Sequence, residues 1–90
     1  MAVSFDPTKR DKTLAERGLD FEDAEAVLDG PVWEFIDSRT DYGEERTTTI
    51  GFLRKRMVVV VWTSRGEDRH IISMRKANER ERGKYGRYLD

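Results

Sequence analysis

The stretch Met57-Val58-Val59-Val60-Val61-Trp62-Thr63-Ser64-Arg65, then Gly66-Glu67-Asp68, then Arg69-His70-Ile71-Ile72-Ser73-Met74-Arg75-Lys76, decides the fold. Four consecutive valines leave no polar face. The segment Met57 to Thr63 therefore reads as a strand buried on both sides, at the centre of a sheet. Gly66-Glu67-Asp68 supplies turn chemistry, and Arg69 to Arg75 reads as the next strand of an antiparallel hairpin. On the amino-terminal side, Arg54-Lys55-Arg56 is a tight basic turn. Arg46 to Leu53, rich in Thr and Ile, is the strand before it. Asp37 to Glu44 holds Asp, Ser, Thr and Gly and reads as a turn. Val32 to Ile36 is the strand that precedes it.

Outside this sheet the period changes to that of helices. Val3-Ser4-Phe5 forms a short strand. Asp6-Pro7 is a helix start, with Asp at the N-cap and Pro at the first helical position, where its missing N–H costs nothing. That helix runs to about Arg17, and Gly18 ends it. Asp20 caps a second helix, Phe21 to Leu28, whose Phe21, Ala24, Val27 and Leu28 share one face. Asn78 caps a last helix, with Glu81 at the capping-box position. Gly83 and Gly86 weaken this helix by about 1 kcal/mol each relative to Ala. The order β-α-α-β-β-β-β-α predicts an α+β two-layer domain, an antiparallel sheet with helices packed on it.

Ninety residues suffice for one domain spanning 1–90 and not for two cores. A chain this short buries roughly 60–65 % of its unfolded surface, so its stability is modest. The absence of cysteine excludes disulfides, thiolate metal sites and cysteine nucleophiles. With His70 the sole histidine, no metal site and no cofactor are expected. No apolar run approaches the roughly 20 residues of a membrane span, and no signal peptide is visible at Met1-Ala2-Val3-Ser4. A cytoplasmic protein without membrane contact is expected. The net charge of −1 hides an asymmetry: residues 1–45 hold 5 Lys/Arg and 13 Asp/Glu, whereas residues 46–90 hold 12 and 5. A basic half is the footprint of a polyanion partner, although by composition alone two solvated faces that attract each other would account for it as well.

The basic residues concentrate on the last two strands. Strict alternation puts Arg69, Ile71, Ser73 and Arg75 on one face, with His70, Ile72 and Met74 on the other. Arg65, Arg69, Ser73 and Arg75 then converge near one surface, with Lys76 beside them and Tyr85 further along the last helix. Several guanidiniums beside a hydroxyl suit phosphate recognition, because Arg offers a planar fork matched to phosphate oxygens. RNA cleavage needs little more. A 2′-hydroxyl attacks the adjacent phosphate, cations stabilise the developing charge, and acid–base groups move two protons. In this reading Arg65 and Arg75 hold the scissile phosphate. Lys55 adds a phosphate contact or activates the nucleophile, and Lys76 and Tyr85 transfer protons. Arg69, Ser73 and Arg54 bind the RNA backbone. The sole histidine invites a catalytic role, but the parity of His70 with Ile72 and Met74 favours a partly buried structural residue. Trp33 and Trp62 lie in apolar strand patterns and read as core sooner than as base-stacking residues, and Glu44-Glu45-Arg46 as a solvated turn sooner than as a proton acceptor. A non-catalytic nucleic-acid- or protein-binding module would use the same basic half, and would leave RNA intact.

Several of these segments together resemble the BrnT toxin family of bacterial type II toxin–antitoxin systems. Val58 to Arg65, Arg69 to Ala77, Glu81 and Tyr85 are similar to its "VVYTxR … RIISARKA … E…Y" pattern. Phe5-Asp6-Pro7-x-Lys9 and Gly18-Leu19-x-Phe21-Glu22-Asp23-Ala24 resemble "WDPxK … HGVSFEEA", and Glu45-Arg46 with Ile50-Gly51 resembles "ER…IG". Thr13, Glu16-Arg17 and Met74 depart from the pattern, which usually has Asn, Lys-His and a small residue there. The resemblance implies a RelE-like fold and a metal-independent endoribonuclease that blocks translation. It also implies a BrnA-type antitoxin, with operator DNA bound only through the toxin–antitoxin complex.

Overall fold

The computed structural model describes residues 2–37 and 44–89. The chain forms β1 (Val3–Phe5), α1 (Pro7–Arg17), a 3-10 turn (Phe21–Asp23) leading into α2 (Ala24–Asp29), β2 (Trp33–Asp37), β3 (Arg46–Leu53), β4 (Arg56–Arg65), β5 (Asp68–Lys76) and α3 (Glu79–Leu89). The turn expected over Asp37 to Glu44 lies, for residues 38–43, outside the described residues.

Helix ends follow local chemistry. The Asp6 carboxylate accepts from the Thr8 N–H at 2.9 Å, Pro7 opens α1, and Gly18 closes it at φ 70°. Asp20 accepts from the Glu22 N–H at 3.0 Å and receives the Arg10 guanidinium on both oxygens, at 2.9 and 2.8 Å. At α3 the capping box is complete: the Glu81 N–H donates to Asn78 Oδ1 at 2.8 Å, and the Asn78 N–H to Glu81 Oε1 at 2.9 Å.

The α+β reading is borne out. The five strands lie in the order β1-β5-β4-β3-β2, with the valine-rich β4 at the centre. β2 to β5 pair antiparallel, and β1 joins β5 in parallel, which makes the sheet mixed. The 3-10 turn and α2 pack on one face. There Phe21, Ala24, Val27 and Leu28 meet Val58, Val60, Ile71 and Met74, all buried. Gly51 leaves room for this approach: a Cβ there would stand 3.0 Å from Val27 Cγ1 and 3.1 Å from Val32 Cγ1. α3 adds a partial cover on the opposite face, where Tyr85 and Ala77 close over Ile50, Met57 and Val59. The two-layer expectation thus describes the first face, and a third helix caps one end of the second.

One irregularity redirects the last strand. Val61 pairs with Ser73, but the next residue, Trp62, pairs with Ile71, so Ile72 is left over as a β-bulge. Register carries each residue onto the face of its partner. Ile71 and Met74, three apart, therefore both reach the first core. The bulge breaks the alternation expected from Arg69 to Arg75: Arg69 faces α2, whereas Ser73 and Arg75 face the side of α3.

Candidate functional site

The sequence-predicted cations separate into groups. β4 has ten residues, so its ends stand roughly 30 Å apart at the rise of an extended chain. Lys55, just before its start, and Arg65, at its end, cannot touch one phosphate. Arg65 lies 3.8 Å from a Glu44 carboxylate oxygen at the far end of the sheet. Arg69 stacks over Trp62, 5.2 Å from the ring centroid, on the opposite face from Arg75. The convergence of Arg65, Arg69, Ser73 and Arg75 expected from alternation is therefore corrected by strand length and by the bulge at Ile72.

At the other end of the sheet the cations gather. The hairpin between β3 and β4 has a two-residue tip, Arg54-Lys55, bracketed by the pair Leu53–Arg56. Both tip residues have positive φ, 50° and 70°. This is the signature of a type I′ turn, which ordinarily takes Asn-Gly. A cleft of about 570 Å³ lies between this tip and α3. Its floor is Phe52, Met57 and Ala77, and its walls carry Lys55, Arg56, Lys76 and Arg82. None of the described lining residues is acidic. Arg82 is steadied by donating to the Ala77 carbonyl at 2.9 Å, and it shares a helix face with the lining residue Gly86, four positions on. Lys55 and Lys76 are thus brought together as the sequence suggested. Arg56 and Arg82 join them. The basic run at 54–56 signalled Arg56, but no local signal marked Arg82, which arrives through the packing of α3.

Arg75 is next to this cleft and already engaged. Its two terminal nitrogens donate to the two Glu81 oxygens at 2.7 and 2.8 Å. Glu81 also closes the capping box, so one carboxylate ties β5 to the first turn of α3. Tyr85 is 9 % exposed and packs in the second core cluster, its ring 5.9 Å from that of Trp33. It anchors α3 and is not among the lining residues of the cleft. Trp62 is partly buried against the first core, as expected, whereas Trp33 is 40 % exposed. Among the described residues, no three His, Asp or Glu gather as metal ligands. No described helix is long and apolar enough to cross a membrane.

Three groups give stability a pH dependence. His70 is partly buried, with Nδ1 3.0 Å from Ser4 Oγ. Burial, and then the charge of Arg65, hold its pKa below the ordinary 6.5. The unfolded chain therefore takes up a proton first, and stability falls as pH drops below about 6.5. Asp20 and Glu81 are held below their ordinary 3.8 and 4.5, chiefly by hydrogen bonds from Arg10 and Arg75 respectively. Their contribution is complete above those values and is lost as pH falls through the lower folded ones. Thermal midpoints measured against pH should show two descents. His70→Gln should abolish the upper one and Asp20→Asn should flatten the lower. An upper descent that survives in His70→Gln would exclude the imidazole as its source.

No curated protein matches the chain. Residues 5–81, from the last residue of β1 into the first turn of α3, match a family model described as "Ribonuclease toxin, BrnT, of type II toxin-antitoxin system". The match covers Lys55, Arg56, Arg75 and Lys76 and stops one residue before Arg82. An RNA substrate and an antitoxin partner go with that family. By this match the chain belongs to the BrnT family of type II toxin–antitoxin ribonuclease toxins.

Proposed function

We propose that the protein is a metal-independent RNA endonuclease whose reaction takes place in the cleft between the β3–β4 tip and α3. The observation that carries this reading is the gathering of Lys55, Arg56, Lys76 and Arg82 around one concavity with no acidic residue among its described lining. Phosphodiester cleavage places extra negative charge on the non-bridging oxygens in the transition state. Fixed cations aimed at that charge are the largest source of stabilisation such a site can offer.

The 2′-oxygen–phosphorus bond forms as the phosphorus–5′-oxygen bond breaks. Lys55 takes the 2′-hydroxyl proton, and Lys76 gives one to the departing 5′-oxygen. Arg56 and Arg82 hold the non-bridging oxygens. Arg75 is a positioning residue in this scheme, because its fork is filled by Glu81 and the pair fixes the helix that carries Arg82. Arg65, Arg69 and Ser73 are not among the lining residues of the cleft and take no part in this scheme. Cleavage of messenger RNA in the cytoplasm would block translation. An antitoxin of the BrnA type would neutralise the enzyme by covering the basic cleft with acidic side chains, and operator DNA would be bound through that complex.

The test is cleavage of a defined RNA by the purified protein in excess EDTA, with end-group analysis. Products ending in 2′,3′-cyclic phosphate are expected. RNA left intact, but shifted on a gel in a salt-sensitive manner, would reduce the protein to a binding module.

A further inference from the structure

A second, smaller cleft of about 260 Å³ lies beside the same hairpin tip. Arg54 and Arg56 stand at its rim, and the half-buried Leu53 lies between them and the buried Leu19 and Val58 of the first core. Arg56 lines both clefts, so the two are adjacent across the tip. The contents of the second differ from those of the first: two guanidiniums beside an aliphatic side chain, with no lysine among its described lining residues. The Arg54 guanidinium matches a phosphate diester, and the half-buried Leu53 beside it suits the face of a base or a ribose. Arg54 lies 3.9 Å from an Asp23 carboxylate oxygen, too long for a hydrogen bond. With its side chain 79 % exposed, its donors remain open to an incoming anion.

The tip itself supports a binding role. A non-glycine residue in the left-handed region costs roughly 1–2 kcal/mol, and here two successive cations are held there. Such strain persists where surroundings or function over-determine it. Its effect is to set the Arg54 and Lys55 side chains on a rigid two-residue tip, one lining each cleft.

We propose that the second cleft is a flanking-nucleotide subsite, in which Arg54 holds the phosphate next to the scissile one, Arg56 stands between the two phosphates, and Leu53 packs against the base or ribose. The RNA strand then crosses the hairpin tip, with one phosphate on each side. This inference rests on the reading of the first cleft as the cleavage site, and it names the part of the substrate beyond the reacting bond.

The test uses 2′-O-methyl RNA, which cannot attack its own phosphate, as a dinucleotide and as a hexanucleotide, titrated into the whole protein and followed by NMR. Arg54→Asn removes the charge while suiting the left-handed backbone, so the hairpin is kept. The expected result is a roughly tenfold loss of hexanucleotide affinity, the scale of one charge-assisted contact, with dinucleotide affinity unchanged. The salt dependence for the hexanucleotide should also flatten by about 0.7 in log–log slope, one phosphate contact on a single strand. Equal losses for both lengths, or no loss for either, would overturn the second subsite. Lys76→Ala serves as the control for the first cleft and should weaken both lengths. If it weakens neither, or if the unsubstituted protein binds neither RNA, the cleavage-site reading fails and the subsite falls with it.

Discussion

Lys76→Ala is expected to lower the rate of RNA cleavage roughly 100- to 1,000-fold, the range seen when one preorganised donor to a developing oxyanion is removed. The stability of the protein should change by no more than about 0.5 kcal/mol, because the side chain is exposed. Lys76 ends β5, where its backbone is fixed by pairing with Val58, and it borders the cleft. The comparison that isolates the chemistry is Lys76→Arg. Arginine keeps the charge but cannot readily surrender a proton. If Lys76 is the acid, Lys76→Arg should bind RNA nearly normally and cleave it slowly, a loss in kcat without a matching rise in KM. Full activity in Lys76→Ala would remove the residue from the mechanism. Full activity in Lys76→Arg would leave it as a charge alone.

Features set by neighbouring residues could be read directly from the chain. Asp6-Pro7 and Gly18 delimit α1 because an N-cap, a proline and a left-handed glycine each act within one turn. The Asn78–Glu81 capping box is equally local, and so is the central position of a strand with four valines. Features set by long-range pairing could not be read. The bulge at Ile72 inserts one residue without any compositional mark, yet it sends Arg69 and Arg75 to opposite faces. Arg75 looked available for phosphate because its partner, Glu81, sits on a different element and meets it only when α3 folds back. The face chosen by α3 likewise depends on how the chain leaves Lys76. That choice buries Tyr85 and brings Arg82 to the cleft, so the misplaced tyrosine and the missed arginine share one physical cause.

Conversion of the hairpin tip to Asn-Gly, by Arg54→Asn together with Lys55→Gly, is expected to move stability and activity in opposite directions. The two φ angles, 50° and 70°, are those the type I′ turn demands and those that Arg and Lys resist. Relief of that strain should stabilise the fold by roughly 1–3 kcal/mol, somewhat offset by the freedom that glycine regains in the unfolded chain. The midpoint of urea unfolding should rise at unchanged m-value. RNA cleavage should fall roughly 100- to 1,000-fold, because Lys55 leaves the wall of the first cleft. No purely structural role for the tip produces that pair of results. A turn kept only for folding would gain stability and lose nothing. Cations kept only for solubility would change neither markedly. If the Asn-Gly protein is more stable and fully active, the strain serves some other end and the cleft loses its lysine base. If it is both more stable and inactive, the hairpin holds an unfavourable backbone so that two charges stand where the RNA backbone must pass.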